Sequence, residues 1–290
     1  MELIGDIVRN GYTFSDGVGK ISPQLTRDVS QQLKLEYVPS CIQFRLGGAK
    51  GILSLSNYLN GRRIQLRPSQ IKFESTHTIL EVIRTSHYLP AYLNRQAITL
   101  LSTLGIKDQI FMQMTQKMIN SMTSMLRNPM SAIKMVCQNM DEHGNTNIMA
   151  RIIDAGFLGR GDPYILNMLN VFRVSKLKDL KEKARIHIPK GAFLLGMLDE
   201  TDSLEEGEIY VSISDTTAGE SSSTRRKPPI VGPCVIFRNP CFHPGDVRTV
   251  LAVDCPKLRH LYDVVVFSAK GFRDLPSMLS GGDLDGDDYT

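Results

Sequence analysis

Short apolar runs broken by glycine and proline mark residues 1–75. Cys41-Ile-Gln-Phe-Arg-Leu46, Gly51-Ile-Leu-Ser-Leu55 and Ile71-Lys-Phe73 predict small strands there. From 76 to 184 the period changes. Apolar side chains recur every three or four positions at Ile98, Leu101 and Leu104, at Ile110, Met114, Met118, Met122 and Met125, and at Tyr164, Met168 and Val171, which predicts helices. Gly105, Asn128-Pro129, His143-Gly144 and Gly161-Asp162-Pro163 punctuate them. Methionines concentrate in this stretch, and at helical spacing they predict core packing rather than a partner groove. Lys176 to Lys183 reads as a basic amphipathic end, a solvated helix face with a place near nucleic acid as the alternative. Strands return from 185 onward in Arg185-Ile-His-Ile188, Phe193-Leu-Leu195, Glu208 to Ile213, Cys234-Val-Ile-Phe237 and Val264-Val-Val-Phe267. Ser212 to Pro229, rich in Ser and Thr and ending Arg225-Arg-Lys-Pro-Pro229, reads as a mobile insertion in a β domain. The order of strands, helices and strands gives an α+β chain in three regions: 1–75, 76–184 and 185–290.

Composition narrows the class. With 42% hydrophobic and 22% charged residues in a chain of 290, wholesale disorder is excluded. No run approaches the roughly 18 apolar residues of a membrane span, and Met1 to Asn10 lacks the basic start and apolar run of a secretory signal. Five cysteines without a C-x-x-C pair argue against a disulfide framework or zinc ribbon and predict an intracellular compartment, cytoplasmic or nuclear. The net charge of +4 hides an asymmetry: the first two thirds are cationic and the last third acidic. That distribution suits a body that tracks a polyanion and an end that holds a cation, although the acids from Asp199 to Glu208 read as a solvated hairpin.

The most informative stretch is Ser280-Gly-Gly-Asp-Leu-Asp-Gly-Asp-Asp-Tyr289. Asp283, Asp285 and Asp287 alternate, so an extended strand would put them on one face, and the flanking glycines let the backbone curve until the carboxylates converge. Three carboxylates that close need a cation. An all-oxygen donor set without His or Cys favours Mg2+ or Mn2+ over zinc. Leu284, pointing the other way, would anchor the loop in the core. A calcium-binding EF-hand loop fits poorly, because its glycine belongs at the sixth position and here sits at the fourth. A plain acidic turn is the bland alternative.

Two glycine-flanked lysines stand upstream: Lys20 in Asp16-Gly-Val-Gly-Lys-Ile-Ser22, and Lys50 in Gly47-Gly-Ala-Lys-Gly51. Glycines let backbone approach a phosphate while the ammonium supplies charge, yet neither string has the P-loop spacing. Arg238 to Arg248 is a stiff proline-rich loop presenting Arg238, His243 and Arg248, in which Asp246 fixes the turn and His243 is either a packed turn residue or a substrate contact. Lys270 and Arg273 add cations just before the acidic motif. No G-x-S-x-G elbow supports a serine hydrolase.

Taken in order, these strings resemble the cell-encoded RNA-dependent RNA polymerases of eukaryotic RNA silencing. The motifs are Asp16 to Ser22, Gln43 to Gly51, Arg67-Pro-Ser-Gln-Ile-Lys-Phe73, Leu93-Asn-Arg-Gln96 with Leu100 to Gly105, Arg238 to Arg248 and Ser280 to Asp287. The resemblance implies two double-psi β-barrels, the first at 1–75 and the second at 185–290, joined by the helical region as connector. It implies that Asp283, Asp285 and Asp287 bind the catalytic magnesium, with Lys20 and Lys50 on the nucleotide and phosphate side. Arg67, Arg238, His243, Arg248, Lys270 and Arg273 are the expected substrate or RNA contacts. The implied activity copies single-stranded RNA template with nucleoside triphosphates into double strands that feed small-RNA processing proteins, with no membrane partner. The family continues past the acidic motif, so the resemblance implies a fragment whose second barrel lacks its closing strand. The competing readings are a catalytically idle RNA-binding fragment and a metal-dependent nuclease.

Overall fold

The computed structural model describes residues 1–139, 145–214 and 227–290. They form an α+β chain in two units. The first holds 1–88, 194–214 and 227–290, and the second 89–193.

The first unit opens with strand β1 (Glu2–Leu3), followed by a hairpin of β2 (Val8–Arg9) and β3 (Tyr12–Thr13). Then come β4 (Val18–Ile21), β5 (Cys41–Leu46), β6 (Ala49–Leu55), β7 (Ile64–Leu66) and β8 (Glu81–Thr85). Their sheet runs β1-β7-β4-β6-β5-β8, with β4 parallel to β6 and β5 antiparallel to it. Gly47 and Gly48, at φ of 54° and 80°, make the two-residue hairpin turn that this twist requires, and the next strand carries Lys50. Ile21, Val29, Ile42, Phe44, Leu53 and Leu66 form the core beneath the sheet.

Two features of this region differ from the expected strands. Helix α1 (Pro23–Gln32) follows β4 because Ser22 caps the Leu25 amide and Pro23 occupies the first turn. Ile71-Lys-Phe73 is not a strand, because a 3-10 turn at Pro68–Gln70 leaves only an isolated bridge from Ile71 to Ala49.

In the second unit, β9 (Leu89–Tyr92) precedes α2 (Arg95–Thr103), α3 (Asp108–Ser124), α4 (Pro129–Cys137), α5 (Asn145–Asp154) and α6 (Pro163–Lys183). Helices therefore begin at Arg95, not at 76, since residues 81–92 supply β8 and β9. Two of the expected breaks become caps, Asn128 and Asp162 each accepting a first-turn amide, and Asn94 caps α2 in the same way. Met125, Ala132, Val136, Met149, Ile153, Ile165 and Leu169 form the core. The methionines divide, with Met122 and Met125 buried and Met112 and Met130 exposed. In α6 the buried face is Ile165 and Leu169, one residue out of step with the expected Tyr164, Met168 and Val171. That helix is apolar on more than one side, so spacing alone does not choose the face. Lys176 is not a solvated residue: it is half-buried over the rings of Tyr92 and Phe172.

Strand β10 (His187–Leu198) is one continuous strand where two were expected, pairing with β9 at its start. From Leu194 it belongs to the first unit's second sheet. That sheet also holds β11 (Glu208–Ser212), β12 (Gly232–Phe237), β13 (Val247–Ala252), β14 (Val264–Phe267) and β15 (Asp288–Tyr289), in the order β12-β13-β11-β14-β10-β15. Arg248 thus lies on a strand rather than in the loop. At the far edge, Phe237 and Thr290 exchange backbone hydrogen bonds of 3.0 and 2.9 Å and Arg238 bridges Tyr289, so the first and last strands meet. The expected insertion at Ser212 to Pro229 and the His143-Gly144 break lie largely or wholly outside the described residues. Among those described, no helix is long and apolar enough to cross a membrane.

Candidate active site

Between α7 (Leu275–Met278) and β15 the acidic stretch forms a curved loop, not a strand; only Asp288 and Tyr289 are extended. Gly286, at φ 132°, permits the bend. Asp287 reaches back to accept the Asp283 amide at 3.0 Å, and Asp283 accepts the Asp285 amide at 3.2 Å. One carboxylate oxygen from each of Asp283, Asp285 and Asp287 lies within 4.8 Å of the others. Leu284, 1% exposed, pins the loop from below.

The first sheet forms the seat of this loop. Gly17, at φ 85°, packs so tightly that an added Cβ would stand 2.6 Å from the Asp285 Cβ. The Asp16 carbonyl accepts the Leu284 amide at 3.1 Å. Lys50 Nζ, on β6, stands 2.5 Å from Asp285 Oδ2. Arg238 pairs with Asp287 through Nε at 2.6 Å and Nη2 at 3.0 Å.

The electrostatics divide the three acids. Burial, followed by the neighbouring Asp285 and Asp287 charges, pushes Asp283 up to about 6. Burial would also raise Asp285, but the Lys50 hydrogen bond and charge outweigh it and hold that carboxyl below its ordinary value. The site thus has more negative charge than its two cations settle. A donor set of three half-buried carboxylates without nitrogen or sulfur fits a hard divalent cation.

Of the residues singled out in the sequence, the fold brings together Asp283, Asp285, Asp287, Lys50 and Arg238. The others engage elsewhere. Lys20 Nζ lies 2.9 Å from Glu200, and buried Arg67 grips the same carboxylate with two bonds of 3.0 Å while donating to the Gly5 and Val18 carbonyls. His243 is exposed and accepts the Gly245 amide within its own turn, which Asp246 fixes by accepting the Phe242 and His243 amides. Arg248 is exposed. Lys270 pairs with Glu205 at 2.7 Å, and Arg273 is tied to Ser277.

Sequence reasoning missed several neighbours. Arg84, on β8, bonds the Gly286 carbonyl, Asp288 at 2.8 Å and Gln43 at 3.0 Å, and Gln43 donates to the Asp285 carbonyl. Lys72 acts on the charges of both Asp16 and Asp285. With Arg45 and Lys50 it lines a cavity of about 460 Å3. Lys72 stands in the quoted Arg67 to Phe73 string, but without flanking glycines nothing distinguished it from a surface lysine.

The family model described as RNA dependent RNA polymerase matches residues 1–290. RNA-dependent RNA polymerase 1 of Schizosaccharomyces pombe is 42% identical over 308 residues, covering 100% of this chain and 25% of its own length. RNA-dependent RNA polymerase 1 of Arabidopsis thaliana is 42% identical over 294 residues, covering 100% of this chain and 26% of its own length. The solved structure of RNA dependent RNA polymerase QDE-1 from Thielavia terrestris superposes with a TM-score of 0.77 at 25% identity, over 99% of this chain and 35% of that one. The chain therefore spans about a quarter of the length of these curated relatives.

Proposed function

The chain belongs to the RNA-dependent RNA polymerase family, and on that premise we propose that it carries the catalytic core of a protein that copies single-stranded RNA into double strands for RNA silencing. The observation that carries the reading is the convergence of Asp283, Asp285 and Asp287 on one point, with Lys50 supplied from the other sheet. In the reaction a 3′-hydroxyl oxygen bonds to the α-phosphorus of a nucleoside triphosphate, the bond to the β-phosphate breaks, and pyrophosphate and a proton are released.

Asp283, Asp285 and Asp287 would hold magnesium, or manganese, which supplies activation of the hydroxyl and neutralisation of phosphate charge. Lys50 keeps Asp285 ionised and available, while Arg238 orients Asp287. Arg45, Lys50 and Lys72 give the adjacent cavity the positive lining that a triphosphate needs. Lys20 and Arg67, converging on Glu200, act by holding β4 and its preceding turn where Gly17 meets the aspartate loop. Arg248 and His243 are exposed and Lys270 is partly exposed beside Glu205, and all three serve as contacts for an RNA backbone, which a copying enzyme must grip without preferring a base. The two sheets correspond in this reading to the two double-psi barrels and the helices from Arg95 to Lys183 to their connector. The meeting of Phe237 with Thr290 brings the two ends of the second sheet together, where the resemblance implied a barrel without its closing strand.

Asp285→Ala tests the division of labour. Nucleotide incorporation on a single-stranded template should fall below detection while RNA affinity stays within about twofold, since removing a carboxylate adds no repulsion to a polyanion. Equal loss of both would sink the reading. Affinity without incorporation in the unaltered protein would favour an idle RNA-binding piece.

A further inference from the structure

Phe272 is an exposed large apolar side chain outside the strands and helices whose backbone is nevertheless held on both sides. It is 67% exposed, yet its amide donates to Glu206 at 3.3 Å and its carbonyl accepts the Asn10 side chain at 3.1 Å. Asn10 and Gly11, at φ of 52° and 80°, form the tight turn of the β2–β3 hairpin, and that hairpin presents Tyr12 to Phe272. The two rings meet edge to face, with centroids 6.3 Å apart and planes at 61°. Arg273 lies over the Tyr12 ring at 5.3 Å, its guanidinium fixed by Ser277 at 2.9 and 3.0 Å.

This bracing gives an aromatic pair that costs little ordering on binding, and it lies beside the acidic loop. Tyr12 and Asp283 line one cavity of about 200 Å3, together with Asp16, Asp274 and Ser277. Three carboxylates on that cavity repel a phosphate. They do not repel a neutral base, whose face matches an exposed ring and which gains by stacking whatever its identity. The Arg273 cation is spent on Tyr12 and Ser277, so the patch offers ring surface rather than a phosphate grip.

We infer that Phe272 and Tyr12, braced by Arg273 and the Asn10-Gly11 turn, form a stacking platform for an unpaired base of an RNA strand. The inference deepens the RNA-copying reading and rests on it for the class of ligand. It makes Phe272 a binding residue and gives Arg273 a positioning role.

The chain contains no tryptophan, so Phe272→Trp places a single indole reporter at the platform. Titrating the full chain with a ten-nucleotide oligouridylate in EDTA, without triphosphates, should quench that fluorescence saturably at the concentrations where anisotropy reports binding. Phe272→Ala should weaken binding about tenfold, within the range for loss of one stacked base, and Phe272→Trp should restore it. An abasic strand should bind the unaltered chain about as weakly as the intact strand binds Phe272→Ala. Saturable binding without quenching, or unchanged affinity in Phe272→Ala, overturns the platform. Equal quenching by uridine monophosphate at the same base concentration overturns the assignment to a strand. Because neither metal nor substrate is present, failure here leaves the incorporation test untouched, and failed incorporation leaves this result standing.

Discussion

In the unit that carries the aspartates, charged groups pair across long stretches of sequence: Lys50 with Asp285, 235 residues on, Arg67 with Glu200, 133 residues on, and Arg84 with Asp288, 204 residues on. In the helical unit the long-range polar contacts among described residues use a neutral partner, Tyr92 with Asn139 at 2.5 Å and Arg95 with the Glu182 carbonyl, and the other polar pairs are local. Lys183 meets Asp179 one turn away, Gln116 bonds Asn120, and the caps reach two or three residues forward. Apolar packing between helices carries the long-range order there instead. The contrast teaches where chemistry resides. A fold that needs only stability can leave its charges on the surface, where a pair is worth little. A site that must hold three carboxylates against one another needs cations delivered from remote elements.

Substitutions can break or sharpen that contrast. The largest effect expected is from Arg67→Ala, which removes a buried cation from Glu200 and two carbonyls and should cost about 4 kcal/mol. It should lower hydrogen-exchange protection in the β4–β6 amides while leaving the helices unchanged. Unchanged protection would mean that the long-range pairs are ornaments on an apolar fold. Leu169→Ala should show the complementary pattern. Leu169 is fully buried among Met149, Ile153 and Ile165 in the helical core, and its truncation should cost about 3 kcal/mol, read in the helix amides.

The smallest effect concerns pH. Burial, then the charges of Lys176 and Lys134, hold His187 below its ordinary value of 6.5. The unfolded chain therefore binds a proton more readily than the folded one. The helical unit should lose stability as pH falls below about 6.5 and level off once the folded ring is itself protonated. His187→Gln should flatten that part of the profile, and an unchanged slope would place the titration elsewhere.

The residues that could be read from sequence are those whose local chemistry is self-announcing. Asp283, Asp285 and Asp287 alternate among glycines, and Lys50 follows a Gly-Gly turn. The same signal was ambiguous at Lys20, whose glycines serve close packing: Gly17 against the aspartate loop, while the ammonium meets Glu200. Arg84 carried no such mark. It sits in Glu81-Val-Ile-Arg-Thr85, where only pairing with β5 brings it to Gln43 and the Gly286 carbonyl. The helical stretch was legible as helices because its period persists, but the face of α6 was decided by its neighbours. α1 was hidden by a strand-rich background, although Ser22-Pro23 is a helix start that the sequence does contain.

The seat that Gly17 offers to Asp285 has a consequence for how the molecule comes into being. A chain made from its first residue onward exposes the β4 turn and Lys50 long before the aspartates are synthesised. The mould therefore waits for its casting across a sequence separation of 235 residues. Contacts that distant close slowly and late. Until they do, three neighbouring carboxylates have neither ammonium nor guanidinium to restrain them. On the metal-site reading, cation affinity should appear during refolding only when the contact of Lys50 with Asp285 closes.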